Sequence, residues 1–82
     1  MNESESEIVH RIGELVEDEH ALERAHAGSP PSDEEAARLR SIEVALDQCW
    51  DLLRQRRARR EAGQDPDAAE VRPERIVEGY QQ

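Results

Sequence analysis

An all-α fold, an antiparallel two-helix hairpin of coiled-coil type with a C-terminal tail, is expected from three observations on this 82-residue chain. Two long segments carry apolar residues at three-and-four spacing, a Gly-Ser-Pro-Pro break separates them, and the two stripes come into register when the chain is folded at that break.

The first stripe runs through Ile8, Ile12, Leu15 and Leu22, with Glu19 and His26 completing its spacing and Val9 and Val16 widening it. It predicts a helix over about residues 5–27. Ser4 and Ser6 can cap its start, and Glu3, Glu5 and Glu7 place negative charge where the helix dipole favours it. Gly28 can adopt a left-handed cap, and Pro30 and Pro31 cannot continue the hydrogen-bond ladder.

The second helix is expected over about residues 33–62. Ser32 and Glu35 stand at capping-box spacing, and Asp33, Glu34 and Glu35 suit the positive end of the dipole. Its stripe reads Leu39, Ile42, Leu46, Cys49 and Leu53, flanked by Ala45, Trp50 and Leu52. Ala62-Gly63, followed by Asp65-Pro66, is a natural stop.

Folded about Pro30-Pro31, the stripes pair as Ile8 with Leu53, Ile12 with Cys49, Leu15 with Leu46, Glu19 with Ile42, Leu22 with Leu39 and His26 with Glu35, every pair of numbers totalling sixty-one. Residues 1–63 are thus expected to form the hairpin, with Leu15 and Leu46 as its mid-helix layer. Residues 64–82 form a tail, partly ordered by packing of Val71, Ile76, Val77 and Tyr80 on the hairpin.

A chain of this size buries only about 60 to 65% of the surface exposed on unfolding. Trp50 and Tyr80 are its only aromatic residues. The thin core predicts help from a second copy, a homodimer closing into a four-helix bundle. A net charge of −9 repels nucleic acid and anionic lipid and argues against both as partners. Cys49 has no second cysteine to bridge, and no secretory or membrane-spanning apolar run is evident, so the expected setting is the cytoplasm. All eleven basic residues are arginine, which a GC-rich coding genome explains as readily as a need for guanidinium chemistry.

The run Asp47-Gln48-Cys49-Trp50-Asp51-Leu52-Leu53-Arg54-Gln55-Arg56-Arg57-Ala58-Arg59-Arg60, then Ala62-Gly63, Asp65-Pro66-Asp67, Val71-Arg72-Pro73 and Val77-Glu78-Gly79-Tyr80, resembles the short actinobacterial proteins grouped as a domain of unknown function. Leu15-Val16-Glu17-Asp18-Glu19-His20 and Leu39-Arg40 extend the resemblance over nearly the whole chain. It implies a bacterial cytoplasmic setting and brings no catalytic residue with it.

Chemistry-bearing constellations are few. Glu17 with His20 and Glu23 with His26 have the Glu-x-x-His spacing of di-metal bundles, and Glu19, Glu23 and His26 fall on the inner side of the first helix. The second helix offers Ile42 and Leu39 at that level, so the other half of a metal shell is missing and solvated charges are the simpler reading. Cys49 holds a seam position where a buried thiol is the ordinary occupant. With no phosphate loop, nucleophile elbow or Cys-x-x-Cys pair, neither catalysis nor a cofactor is expected.

The leading expectation is therefore a non-catalytic, self-associating interaction module. Trp50 and Leu52 lie on a flank of the second helix wider than one partner helix covers, with Trp50 either beneath the tail or at the centre of a contact patch. Arg54, Arg56, Arg57, Arg59 and Arg60 are either an internal charge clamp or a site for an anionic partner such as RNA or the ribosome. In the clamp, Arg54 faces Glu7, Arg56 faces Glu5, Arg57 faces Ser4 and Glu3, and Arg59 and Arg60 stay available.

Overall fold

The structure, a computed structural model, describes residues 5–73. Helix α1 spans Glu5–Ala25 and α2 spans Asp33–Glu61; they pack as an antiparallel hairpin, and a 3₁₀ turn follows at Pro66–Ala68. No strand occurs among the described residues. The body measures 50 × 24 × 20 Å, its long dimension set by the roughly 43 Å that the 29 residues of α2 span at their helical rise.

Local chemistry sets the ends of the helices. At the start of α2, the Ser32 hydroxyl accepts from the Glu35 backbone N–H at 3.2 Å, and Glu35 Oε1 accepts from the Ser32 N–H at 3.0 Å. This capping box satisfies two donors that a helix terminus leaves unpaired. The hydrogen bond from the Ser32 backbone, and then that with its side chain, hold the Glu35 carboxyl below its ordinary pKa.

The other carboxylate oxygen of Glu35 faces His26, whose Nε2 lies 2.8 Å away. That approach is off the direction a hydrogen bond requires, and the buried Nε2 has no hydrogen bond among the described residues. One glutamate thus caps α2 and meets the end of α1, at the expected hairpin mouth.

At the far end of α2, Gly63 has φ +74°, Gln64 N–H donates to Arg59 O at 2.7 Å and Gly63 N–H to Arg60 O at 3.1 Å. These two bonds form a Schellman motif, and the left-handed residue within it has to be glycine to avoid strain. Gly28, φ +87°, is likewise left-handed and lies in the turn that follows α1.

Burial is uneven along the hairpin. Ile8, Ile12, Cys49, Leu52 and Leu53 form the core cluster, with Leu15, Val16, Leu46 and Ala69 partly buried against it. Ile8 and Leu53, opposite one another in the expected register, are fully buried, whereas Leu15 and Leu46 are only half-buried. The expected weight on the mid-helix layer is therefore corrected: the tightest packing lies at the open end of the hairpin, where residues after Gly63 return to α2 and add a third layer.

Candidate functional site

That third layer is the most specific arrangement of side chains among the described residues. After the 3₁₀ turn, capped by Asp65 accepting from Asp67 N–H at 3.0 Å, the chain runs back along α2. Arg56 Nη1 donates to Pro66 O at 3.3 Å and to Asp67 Oδ1 at 2.9 Å. The neighbouring Gln55 amide donates to Glu70 O and accepts from Glu70 N–H, so it occupies both backbone polar groups of that residue. Gln48 then donates to Arg72 O at 3.2 Å.

Asp51 lies at the centre of this strip and is fully buried. Its carboxylate takes a two-pronged grip from Arg72, through Nε at 2.9 Å and through Nη2, and a third hydrogen bond from Gln55 Nε2 at 2.9 Å. A buried carboxylate with these three donors is paired and hydrogen-bonded, the condition for burying a charge. Burial by itself raises the Asp51 pKa, but the hydrogen bonds from Arg72 and Gln55, with the positive charges of Arg72 and Arg54, outweigh it and leave the pKa below its ordinary value. We call this arrangement the tail latch.

The pH dependence of the latch follows from that direction. Because the folded-state pKa is depressed, the contribution of Asp51 is fully present above the unfolded value of about 3.9 and is lost as pH falls through the lower folded value. Glu35 acts with the same sign. The latch is expected to hold at pH 5 and to open only in stronger acid, which the Glu70 amide resonance, followed by NMR through an acid titration, will report. Release near pH 6 would exclude Asp51 as the controlling group.

The residues expected from sequence to make a contact surface are distributed differently. Leu52 is corrected: at 8% exposure it belongs to the core, because the returning chain adds a layer beside it. Trp50 is 47% exposed. It is not beneath the described part of the tail, which follows Gln48, Asp51 and Gln55 on another side of α2. Ile76, Val77 and Tyr80 lie outside the described residues.

The arginine run divides its work. Arg56 does not meet Glu5 but turns to the tail, and its side chain is only 12% exposed. Glu5 instead pairs with Arg60, which therefore does not stay available. The displacement has a simple cause: helical side chains lean toward their own N-terminus, so a long arginine one turn further along reaches the level expected of Arg56. Ser4 and Glu3, expected opposite Arg57, lie outside the described residues. Arg54 is exposed and contributes positive charge near Asp51, while Arg59 is half-buried.

The metal candidates are only partly brought together. Glu19, His20 and Glu23 can place one ligand atom each within 4.8 Å of one another, whereas His26 is drawn away to Glu35. Glu23 and His20 are exposed and Glu19 half-buried, an acidic helix surface that needs no ion to explain it.

Asp51, Gln55, Gln48 and Arg72 were not singled out by sequence reasoning as a site. A signal existed: Gln48, Asp51 and Gln55 are spaced three and four apart, forming a stripe of hydrogen-bonding groups on α2. Pro73 also biases Arg72 toward the extended backbone that a chain lying along a helix needs.

Residues 4–82 match the family described as "Protein of unknown function (DUF2630)". The chain belongs to this family. It is 52% identical over 79 residues to the uncharacterized protein Rv0898c of Mycobacterium tuberculosis (strain H37Rv) and, to the same extent, to the uncharacterized protein Mb0922c of Mycobacterium bovis. In both comparisons the match covers 94% of this chain and 90% of the relative. The matched region takes in α1, α2 and the latch alike. No solved structure matches. No helix among the described residues is long and apolar enough to cross a membrane.

Proposed function

We propose that this protein is a non-catalytic interaction module that self-associates, two hairpins meeting side by side as a four-helix bundle. The reading is carried by apolar surface left outside the hairpin: Trp50 is 47% and Val9 54% exposed. At 100° per residue, Val9 and the half-buried Val16 lie along one edge of α1, and antiparallel pairing puts Trp50 on the same side of α2. Tryptophan is among the residues enriched at interface centres, and here it stands exposed at the edge of a thin core. A cytoplasmic setting accords with a lone buried cysteine, Cys49.

Sedimentation equilibrium tests the proposal. A species of about twice the 9.4 kDa chain mass is expected at micromolar concentration, with Trp50→Asp returning it to the single-chain mass. Each partner carries a charge of −9, so added salt should strengthen association by screening the repulsion. A 9.4 kDa species alone, up to millimolar protein, overturns self-association.

A further inference from the structure

The tail runs along α2 toward the start of that helix, on a line of polar groups seven residues apart: Gln55 holds Glu70 and Gln48 holds Arg72. Seven helical residues return to nearly the same face after a rise of about 10 Å, so the next position on the line is Ser41. There the surface of α2 sinks into a depression of about 340 Å³, with Ala37, Ser41, Val44 and Ala45 among its lining and Gln48 at the end nearer the tail. Val44 lies two residues from both Ile42 and Leu46, on the face of α2 turned away from α1, so α1 cannot cover it. The Ser41 hydroxyl donates to Ala37 O at 3.1 Å and keeps lone pairs with which to accept a backbone N–H.

We infer that this depression is the docking site of the chain's own residues 74–82, which lie outside the described residues, with Ile76 and Val77 covering Val44 and Ala45 and Tyr80 reaching the level of Ala37. Direction and length carry the inference. From Pro66 beside Arg56 to Arg72 beside Gln48, six steps of tail pass eight residues of α2, or about 12 Å, an advance of about 2 Å per residue. At that rate nine further residues advance about 18 Å, and Gln48 to Ala37 is about 16 Å. The chemistry fits as well, since Ile76, Val77 and Tyr80 are the large apolar groups of this segment and Val44 and Ala45 offer an apolar floor. Tethering favours this occupant over a second copy: a segment joined through Pro73 meets the groove at an effective concentration of about millimolar. Ser41 lies nine residues from Trp50, half a turn around α2, so the site does not require self-association.

The test is methyl NMR on the full chain. Nuclear Overhauser contacts are expected between the methyl groups of Ile76 and Val77 and those of Val44 and Ala45. They should be absent from an isotope-filtered spectrum of mixed labelled and unlabelled chains, which sees only contacts between copies. Val44→Glu places a carboxylate in the groove and should abolish the contacts, while hydrogen exchange at the Glu70 amide, held by Gln55, stays slow. Val77→Asp alters no residue of the hairpin and should abolish the contacts of Ile76 in the same way. Absence of the contacts from the full chain, or their survival in both variants, overturns the proposal. So does their appearance in the filtered spectrum, which would give the groove to the tail of a second copy.

Discussion

Asp51→Ala is expected to release the chain after Gly63 from α2 and to lower the unfolding free energy by about 2 to 3 kcal/mol. The carboxylate is fully buried and receives three hydrogen bonds, two of them from a charged donor. Its partner side chain is 32% exposed, so solvent screens part of the attraction and holds the loss below that of a fully buried pair. Arg72→Ala should cost a similar amount and no more, because once the tail leaves, Asp51 becomes hydrated instead of remaining as an unpaired buried charge.

The two substitutions therefore act on one event, and the double variant should be at most about 0.5 kcal/mol less stable than the worse single variant. Urea unfolding measures the energies, and hydrogen exchange at the Glu70 amide, held by Gln55, locates the change. Additive losses with unaltered exchange at Glu70 would mean that Asp51 and Arg72 do not secure the tail.

The second large effect belongs to the core. Leu53→Ala, at a site 1% exposed and facing the fully buried Ile8, should destabilise by about 2 to 5 kcal/mol through lost burial and the cavity left behind. Leu46→Ala should cost clearly less, about 1 to 2 kcal/mol, because Leu46 is half-buried and solvent can reach the space. Equal losses at the two sites, measured by the same denaturant series, would place the tightest packing at mid-hairpin.

The hairpin itself was legible because each of its signals is local. Ser32 and Glu35 cap α2 over four residues, Gly28 and Gly63 end helices by single-residue geometry, and the apolar stripes repeat within two turns. Even the meeting of His26 with Glu35 followed from the register about Pro30-Pro31. The pairing of Glu5 did not, since register states which residues are level but not how far a leaning arginine reaches, and Arg60 took the place expected of Arg56.

The latch is of another kind. Asp51 and Arg72 are 21 positions apart, and in one dimension Asp51 on α2 is indistinguishable from a solvated surface charge. Its burial arises only when the returning chain lays Arg72 against it, with Gln55 and Gln48 holding the backbone on either side. The same third layer draws Leu52 into the core and leaves Trp50 outside. Helix propensity, capping and apolar periodicity act over a turn or two, so they were written into the order of residues. Which polar face of α2 would be covered depends on where a distant segment lands, and that is settled by burial and charge pairing in three dimensions.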